Sequence, residues 1–322
     1  MQTILGAGGA IGTALAKVLP EYTPQIRLVG RSPEKVNETD VLFAGDLTQA
    51  GVAEKAVEGA EVAYLTVGLP YDAKLWQHSW PLIMENVIRA CLKHGSKLVF
   101  FDNIYLYEGT HLDPITEDTK VHPLTKKGKV RAKICRMLWE AVEKQGLTAL
   151  IARCGDFYGP GVQGSGILRE TIIKPLSKGD TANLFAADGY KHSYTYVPDA
   201  AKATALLGNT PDTYGAVWHL PTAGNPPTGK QWVEMVAKAL DTRPKYRIIN
   251  KMLARLIGFF VPEIRESVEM FYQYNRDYVF DSSKFEQRFD FVPTPYQQGI
   301  KAVVALDFPE HGTSAAAPAP RV

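Results

Sequence analysis

A short apolar run, Gln2 to Leu5, leads into Gly6-Ala7-Gly8-Gly9-Ala10-Ile11-Gly12, and a helical stripe follows at once. Strand, glycines and helix in that order constrain the fold more than any other feature, because each glycine meets a separate demand of one βαβ unit. Gly6 allows the turn off the strand, Gly9 lets backbone approach a pyrophosphate, and Gly12 lets helix and strand touch. The stripe is Ile11, Ala14, Leu15 and Val18, and it stops at Pro20. A phosphate at such a turn meets unsatisfied N–H groups and the positive end of the helix dipole. The turn from Gly6 through Gly8, Gly9, Ala10 and Ile11 to Gly12 therefore reads as a dinucleotide cradle.

The same alternation continues along the chain. Strands are predicted at 26–29, 41–44, 62–67, 97–101 and 149–153, and helices at about 49–57, 76–94 and 127–144. Aliphatic strands separated by amphipathic helices imply an α/β fold, a doubly wound parallel sheet of the Rossmann kind. From Gly155 onward the rhythm loosens. The expected organisation is a Rossmann NADP-binding core over 1–159, to which 194–222 returns with strands at 194–198 and 216–220. A smaller C-terminal substrate-binding lobe is expected from 160–193 and 223–310, followed by a low-complexity, disordered tail over 311–322.

Composition narrows the class. Hydrophobic residues are 45% and charged residues 22% of 322, and the net charge of +2 comes without a long Lys/Arg run. No nucleic-acid partner is expected from that balance. Cys91, Cys135 and Cys154 form no CxxC pair, which points to a reduced compartment rather than a zinc knuckle or disulfide framework. The glycine turn leaves no room for a signal peptide before it, and no apolar stretch reaches the roughly 18 residues of a membrane span. The most apolar run, 253–261, is interrupted by Arg255 and reads as a buried helix end or pocket wall. A cytoplasmic enzyme with no membrane partner is the expectation.

The end of the second strand discriminates between dinucleotides, since a carboxylate there accepts from a ribose hydroxyl and repels a 2'-phosphate. This chain has Gly30-Arg31-Ser32, a cationic fork and a hydroxyl, so NADP(H) is favoured over NAD(H). Asp46 and Leu47 after the third strand are placed beside the adenine. Thr66, Val67 and Gly68 after the fourth line the way to the nicotinamide.

Several motifs together are similar to the extended short-chain dehydrogenases/reductases of the NAD-dependent epimerase/dehydratase type. They are the GxxGxxG spacing, Gly45-Asp46-Leu47, Asn86, RCGDFYGPG at 153–161, YTYVPDAAKA at 194–203 and VWHLP at 217–221. The match runs over roughly residues 2–305. The resemblance implies a Rossmann core with a C-terminal substrate lobe, and chemistry resting on Ser or Thr with a Tyr-x-x-x-Lys pair. No lysine of this chain has a tyrosine four residues before it. Lys127 stands in the tyrosine slot and Arg131 in the lysine slot, which the family uses near the cofactor. Asn103 falls where the family has serine, and its amide can bond a substrate carbonyl. Tyr105 or Tyr107 can supply a phenol nearby. Lys127 can serve as a cationic proton donor if burial beside Arg131 lowers its pKa.

Other candidates carry less. Asp102 reads equally as a general base or a turn cap. His111, His122, His192 and His219 show no i, i+4 pair, so no metal site is expected. Gly164-Ser165-Gly166 is no nucleophile elbow. The aromatics Phe271, Tyr272, Tyr274, Tyr278 and Phe280 read as lobe core or as pocket lining, and Arg153, Lys191, Arg255 and Arg265 as cations available to an anion. Three functions stay open. The leading one is an NADP-dependent oxidoreductase acting on a carbonyl or hydroxyl of a small molecule with an atypical proton donor. The second is an NAD(P)-dependent sugar epimerase or dehydratase that retains its cofactor. The third is a non-catalytic NADP(H)-sensing protein. A helix-mediated homodimer is expected by analogy alone.

Overall fold

The computed structural model describes residues 1–314 apart from 111, 165, 260 and 261. In chain order the first half comprises β1 (Gln2–Leu5), α1 (Ala10–Val18), β2 (Ile26–Gly30), β3 (Val41–Ala44), α2 (Ala50–Val57), β4 (Val62–Leu65), α3 (Ala73–His94), β5 (Lys97–Asn103), α4 (Lys126–Gln145) and β6 (Ala149–Cys154). Then come β7 (Phe157–Tyr158), α5 (Lys174–Ser177), β8 (Ala182–Phe185), β9 (Thr195–Tyr196), α6 (Val197–Gly208), β10 (Val217–His219), α7 (Gly229–Ala239), β11 (Tyr246–Ile249), α8 (Lys251–Ile257), α9 (Pro262–Ser267), α10 (Ser283–Phe289) and α11 (Tyr296–Asp307).

Among the described residues, seven strands form one sheet in the order β10-β6-β5-β4-β1-β2-β3, with every pairing parallel. The chain winds outward from β1 through β2 to β3, then crosses back to β4 on the other side of β1. That reversal leaves a crevice at the carboxyl ends of β1 and β4, the place where doubly wound sheets hold their ligands. The glycine turn and Thr66 both sit on it. All residues of β1, β4 and β6 are buried, as a sheet covered on both faces requires.

Helices α2, α3 and α4 cover one face around Trp80, Met84, Phe100 and Leu138, and α1 and α6 cover the other around Leu15, Leu28 and Leu207. The two long helices start and stop on local signals. Asp72 caps α3 by accepting from Leu75 N and Thr125 caps α4 by accepting from Gly128 N; both helices end on a left-handed glycine, Gly95 or Gly146. A further apolar cluster gathers Trp232, Val236, Leu168, Ile300 and Val304.

Three sequence expectations need correction. Residues 194–198 are a strand only over Thr195–Tyr196, which pairs with β7 outside the main sheet. Val197 already begins α6, with Pro198 in its first turn, where a missing N–H costs nothing. The strand expected over 62–67 ends at Leu65, freeing Thr66 and Val67 for the crevice. The apolar run at 253–261 does carry the end of a helix, α8 at Ile257, but it is not the buried end or pocket wall expected: Leu256 is 60% and Phe259 81% exposed. Its last two residues, like His111, Ser165 and the tail beyond 314, lie outside the described residues.

Candidate active site

The glycine turn is as tight as its sequence demands. Gly6 has φ +110°, and a Cβ there would lie 2.5 Å from Val67 N. A Cβ on Gly12 would lie 2.5 Å from the Gly6 carbonyl oxygen, so α1 touches the turn beneath it. Gly9 is the N-cap of α1 and supplies no side-chain acceptor to the first-turn N–H groups of Ala10, Ile11 and Gly12. Gly8 and Gly9 are exposed, and nothing lies within 4 Å of a Cβ built on Gly8. Unsatisfied donors, a positive helix end and open space beside them fit a dinucleotide pyrophosphate.

Arg31 and Ser32 are exposed just past β2, and Arg31 makes no hydrogen bond or ion pair among the described residues. Asp46 turns its carboxylate onto Thr48 N at 2.9 Å and Thr48 Oγ1 at 2.8 Å. Those two bonds, with a smaller contribution from the Arg31 charge, hold it below the usual carboxylate range. Asn86 Nδ2 donates to the carbonyls of Leu47 and Thr48, pinning the loop after β3 from the flank of α3. Thr66 is buried against the turn, and Gly68 beyond it is exposed.

The carboxyl end of β5 carries a buried charged network that sequence reading missed. Asp102, 1% exposed, accepts from Arg131 Nε at 2.7 Å and from Arg153 Nε and Nη2 at 3.1 and 2.9 Å. Burial alone would raise its carboxyl, but the two guanidinium charges hold it low. Asp102 is therefore an ion-pair centre, not a cap or an available base. Arg131 and Arg153 are turned inward with it; Arg131 also lies over the Trp80 ring at 4.4 Å. Arg153 Nη1 donates to the Tyr107 hydroxyl at 2.7 Å. His219 Nδ1 lies 2.8 Å from the Asp281 carbonyl and so carries the proton, which leaves Nε2 to accept from Tyr107 at 2.8 Å. Burial pushes the His219 imidazole down to about 3, with Arg153 adding to the effect. Tyr107 is 1% exposed and its single proton is committed to His219.

Lys127 is sealed as well. It is fully buried, and its ammonium donates to Glu266 Oε2 at 2.7 Å, the Glu266 carbonyl at 3.0 Å and Glu269 Oε1 at 3.0 Å. All three of its protons are used, and Tyr71 covers it at 4.3 Å. The expectation of a proton donor at this residue thus meets an internal ion pair. The same two glutamates accept from the backbone N–H groups of Ala73, Lys126 and Lys127, tying the 262–273 segment to the starts of α3 and α4.

Asn103 ends β5, and it and Tyr105 just beyond are only partly buried. Asn103 Oδ1 accepts from Tyr105 N at 3.1 Å, leaving the amide nitrogen for another partner. Tyr105 stacks on Trp76 at 6.3 Å. Burial, and secondarily the Asp156 charge, push its phenol pKa upward. Asp156, inside the RCGDFYGPG motif, accepts from Tyr274 at 3.0 Å and lies 2.9 Å from His192 Nε2. No spacing in sequence signals this meeting of residues 156, 192 and 274. Of the aromatic run, Tyr274 lines a cleft there, while Tyr278 and Phe280 are packed into the main core. Lys191 lies at that cleft; Arg255 and Arg265 are exposed elsewhere. Among the described residues, no group of three His, Cys, Asp or Glu side chains is arranged to hold a metal ion, and no helix is long and apolar enough to cross a membrane.

Comparison with known proteins agrees with this architecture. The model of the NAD dependent epimerase/dehydratase family matches residues 3–218. A Thermus thermophilus UDP-glucose 4-epimerase complexed with NAD superposes with a TM-score of 0.77 at 17% identity, covering 98% of this chain and 100% of that one. A Bacillus cereus UDP-glucuronic acid 4-epimerase with NAD gives 0.78 at 16%, over 97% and 100%. A dTDP-glucose 4,6-dehydratase from Streptomyces venezuelae gives 0.79 at 14%, over 95% and 96%. No protein of curated function matches the sequence. At these identities the superpositions establish the shared fold.

Proposed function

Because the chain belongs to the NAD dependent epimerase/dehydratase family, we propose that it is a nicotinamide dinucleotide enzyme that exchanges hydride at a hydroxyl-bearing or carbonyl carbon and keeps its cofactor bound between cycles. The observation that carries this reading is the uncapped start of α1 over Gly6, Gly8 and Gly9, at the same carboxyl edge of the sheet where Asn103 ends β5. The glycine turn would hold the pyrophosphate, with Asp46 and Leu47 toward the adenine and Thr66, Val67 and Gly68 toward the nicotinamide. When bound, the nicotinamide supplies or takes the hydride. The family and the solved relatives favour the epimerase/dehydratase form over the net oxidoreductase that the residues alone suggest. Residues 160–193 and 223–310 are proposed as the substrate lobe.

Within this reading Asn103 positions the substrate oxygen through its free amide nitrogen, and Tyr105 exchanges the proton. Tyr107 and Lys127 are unsuited to that task, since each has committed its protons to other side chains of the protein. One observation favours the net reductase. Tyr105 has a raised pKa and so holds its proton at neutral pH, which suits protonating a carbonyl oxygen better than taking a proton from a hydroxyl.

Arg31 and Ser32 support NADP(H) over NAD(H), because an unpartnered guanidinium at the end of β2 is free to fork onto a 2'-phosphate. Replacing Arg31 by Ala should weaken NADP(H) about tenfold and leave NAD(H) unchanged. Equal loss for both would remove the preference.

The reaction is tested by supplying stereospecifically deuterated NADPH with a panel of carbonyl and hydroxyl compounds and following deuterium by mass spectrometry. Deuterium entering a compound without net loss of reduced nicotinamide supports the retained-cofactor form, and net loss supports the reductase. No transfer to any compound, or transfer undiminished in Tyr105→Phe, would overturn the respective assignment.

A further inference from the structure

Helix α8 packs with its apolar side facing outward. Asn250 caps it by accepting from Leu253 N at 2.8 Å, and Phe259 N donates to the Leu256 carbonyl at 3.3 Å, so the helical path runs from 251 to 259. Toward the protein it presents its smallest residues. Ala254 is fully buried with Ile249 and Phe271, and a Cβ on Gly258 would lie 2.9 Å from Arg265 Cα. Met252, Leu256 and Phe259, spaced four and three residues apart, share the opposite face and are 79%, 60% and 81% exposed. Leu253 beside them and Ile248 in β11 are exposed too. A helix that buries alanine and glycine and shows water its large apolar side chains is not packed for this chain's own core.

The charge around that face has one sign. Arg243, Lys245, Arg247, Lys251 and Arg255 are all exposed, and residues 242–262 contain no Asp or Glu. The whole chain carries a net charge of only +2, so this concentration is local. Lys251 and Arg255 lie one turn apart on the flank of the apolar face, where long side chains hold their charges at its rim. The partner that fits is negative at its surface and apolar beneath. An anionic bilayer is both, and an amphipathic helix with a cationic flank lies in its interface without crossing it. A second copy of this chain fits badly, because a twofold contact across α8 would set the same cations against each other. A nucleic acid supplies the charge but nothing for Met252, Leu256 and Phe259 to enter.

We propose that α8 is an interfacial anchor that seats the protein on a bilayer carrying anionic phospholipid. Met252, Leu256 and Phe259 enter the boundary between headgroups and acyl chains, and Lys251 and Arg255 meet the headgroups. This replaces the expectation, drawn from the sequence, of no membrane partner. The anchor does not depend on the reaction, so it stands or falls apart from the hydride-exchange reading.

The full chain is sedimented with vesicles of phosphatidylcholine containing roughly one-third phosphatidylglycerol and, separately, with vesicles of phosphatidylcholine alone. The expected result is binding to the anionic vesicles, at least about tenfold weaker binding to the neutral ones, and release as salt is raised to about 0.5 M. Leu256→Ser/Phe259→Ser should weaken binding at least about tenfold at unchanged net charge. Lys251→Gln/Arg255→Gln should weaken it at least about tenfold and flatten its salt dependence. All of these positions are exposed, so the thermal midpoints of both variants should match that of the parent chain. No binding to the anionic vesicles, equal binding to the neutral ones, or binding undiminished in either variant would overturn the proposal. So would self-association in sedimentation velocity that Leu256→Ser/Phe259→Ser abolishes, which would give the face to a second copy.

Discussion

The ammonium of Lys127 lies 2.7 Å from Glu266 Oε2, joining the second residue of α4 to a carboxylate 139 positions further along the chain. The contact closes the 262–273 segment over the slot where the family resemblance puts a tyrosine. The ammonium has no exposure of its own, and Glu269 and the Glu266 carbonyl complete its hydrogen bonds.

Replacing Lys127 by Met should therefore destabilise the protein by about 2–4 kcal/mol, since two partly buried carboxylates lose their cation. The loss reads directly as a lower urea midpoint. Glu266 supplies a pH signature: burial would raise its pKa, but the Lys127 and Ala73 hydrogen bonds and the ammonium charge bring it below the ordinary 4.5. The unfolded carboxyl protonates first on acidification. The stabilisation is thus complete above pH 4.5 and fades as pH falls through the lower folded value, and Lys127→Met should flatten that fade.

Tyr107 and Tyr105 sit two residues apart and should respond in opposite ways. Tyr107→Phe removes the acceptor of Arg153 Nη1 and the donor to His219 Nε2, both buried. The expected cost is about 1–3 kcal/mol in denaturation, with turnover per folded molecule retained. Tyr105→Phe should lose turnover at least about a hundredfold at nearly unchanged stability. Equal losses of turnover in the two variants would show that the network around Arg153, not one phenol, governs the reaction.

The difference between those tyrosines also shows what was legible in the sequence. The sheet through β6 is written in local terms: apolar runs, helical stripes and glycines at required turns, each decided within about a dozen residues. The cradle is local too, so Gly6, Gly9 and Gly12 can be assigned separate duties in advance. The start of α6 misleads because Val197 and Pro198 suit both a strand end and a helix first turn, and only the packing of α6 against α1 decides. Lys127 with Glu266, Asp156 with His192, and Tyr107 with His219 join residues 139, 36 and 112 apart. No periodicity encodes such meetings, and each changes what a side chain can do by consuming its protons.

His219 should make stability depend on pH over a defined window. Its folded pKa is pushed down to about 3, against an ordinary 6.5. Between those values the unfolded imidazole binds a proton that the folded one refuses, so acid favours unfolding. Each pH unit below 6.5 should cost about 1.4 kcal/mol from this group. Chemical denaturation followed from pH 7 to pH 5 checks the slope, and His219→Gln should remove one proton's worth of it. An unchanged slope would mean that the imidazole is protonated in the folded protein.

The cradle can be tested without confusing folding with binding, because its glycines differ in what surrounds them. Gly12→Ala drives a Cβ to 2.5 Å from the Gly6 carbonyl oxygen, so α1 must move off the turn, and both stability and dinucleotide affinity should fall. A Cβ on Gly8 has nothing within 4 Å, so Gly8→Ala should fold with an unchanged thermal midpoint. Its methyl group instead enters the open space beside the uncapped N–H groups of α1, where a pyrophosphate would approach. Titration calorimetry with NADP(H) should then show about tenfold weaker binding in Gly8→Ala. If affinity survives Gly8→Ala and falls only in Gly12→Ala, the turn supports the fold and the phosphates lie elsewhere.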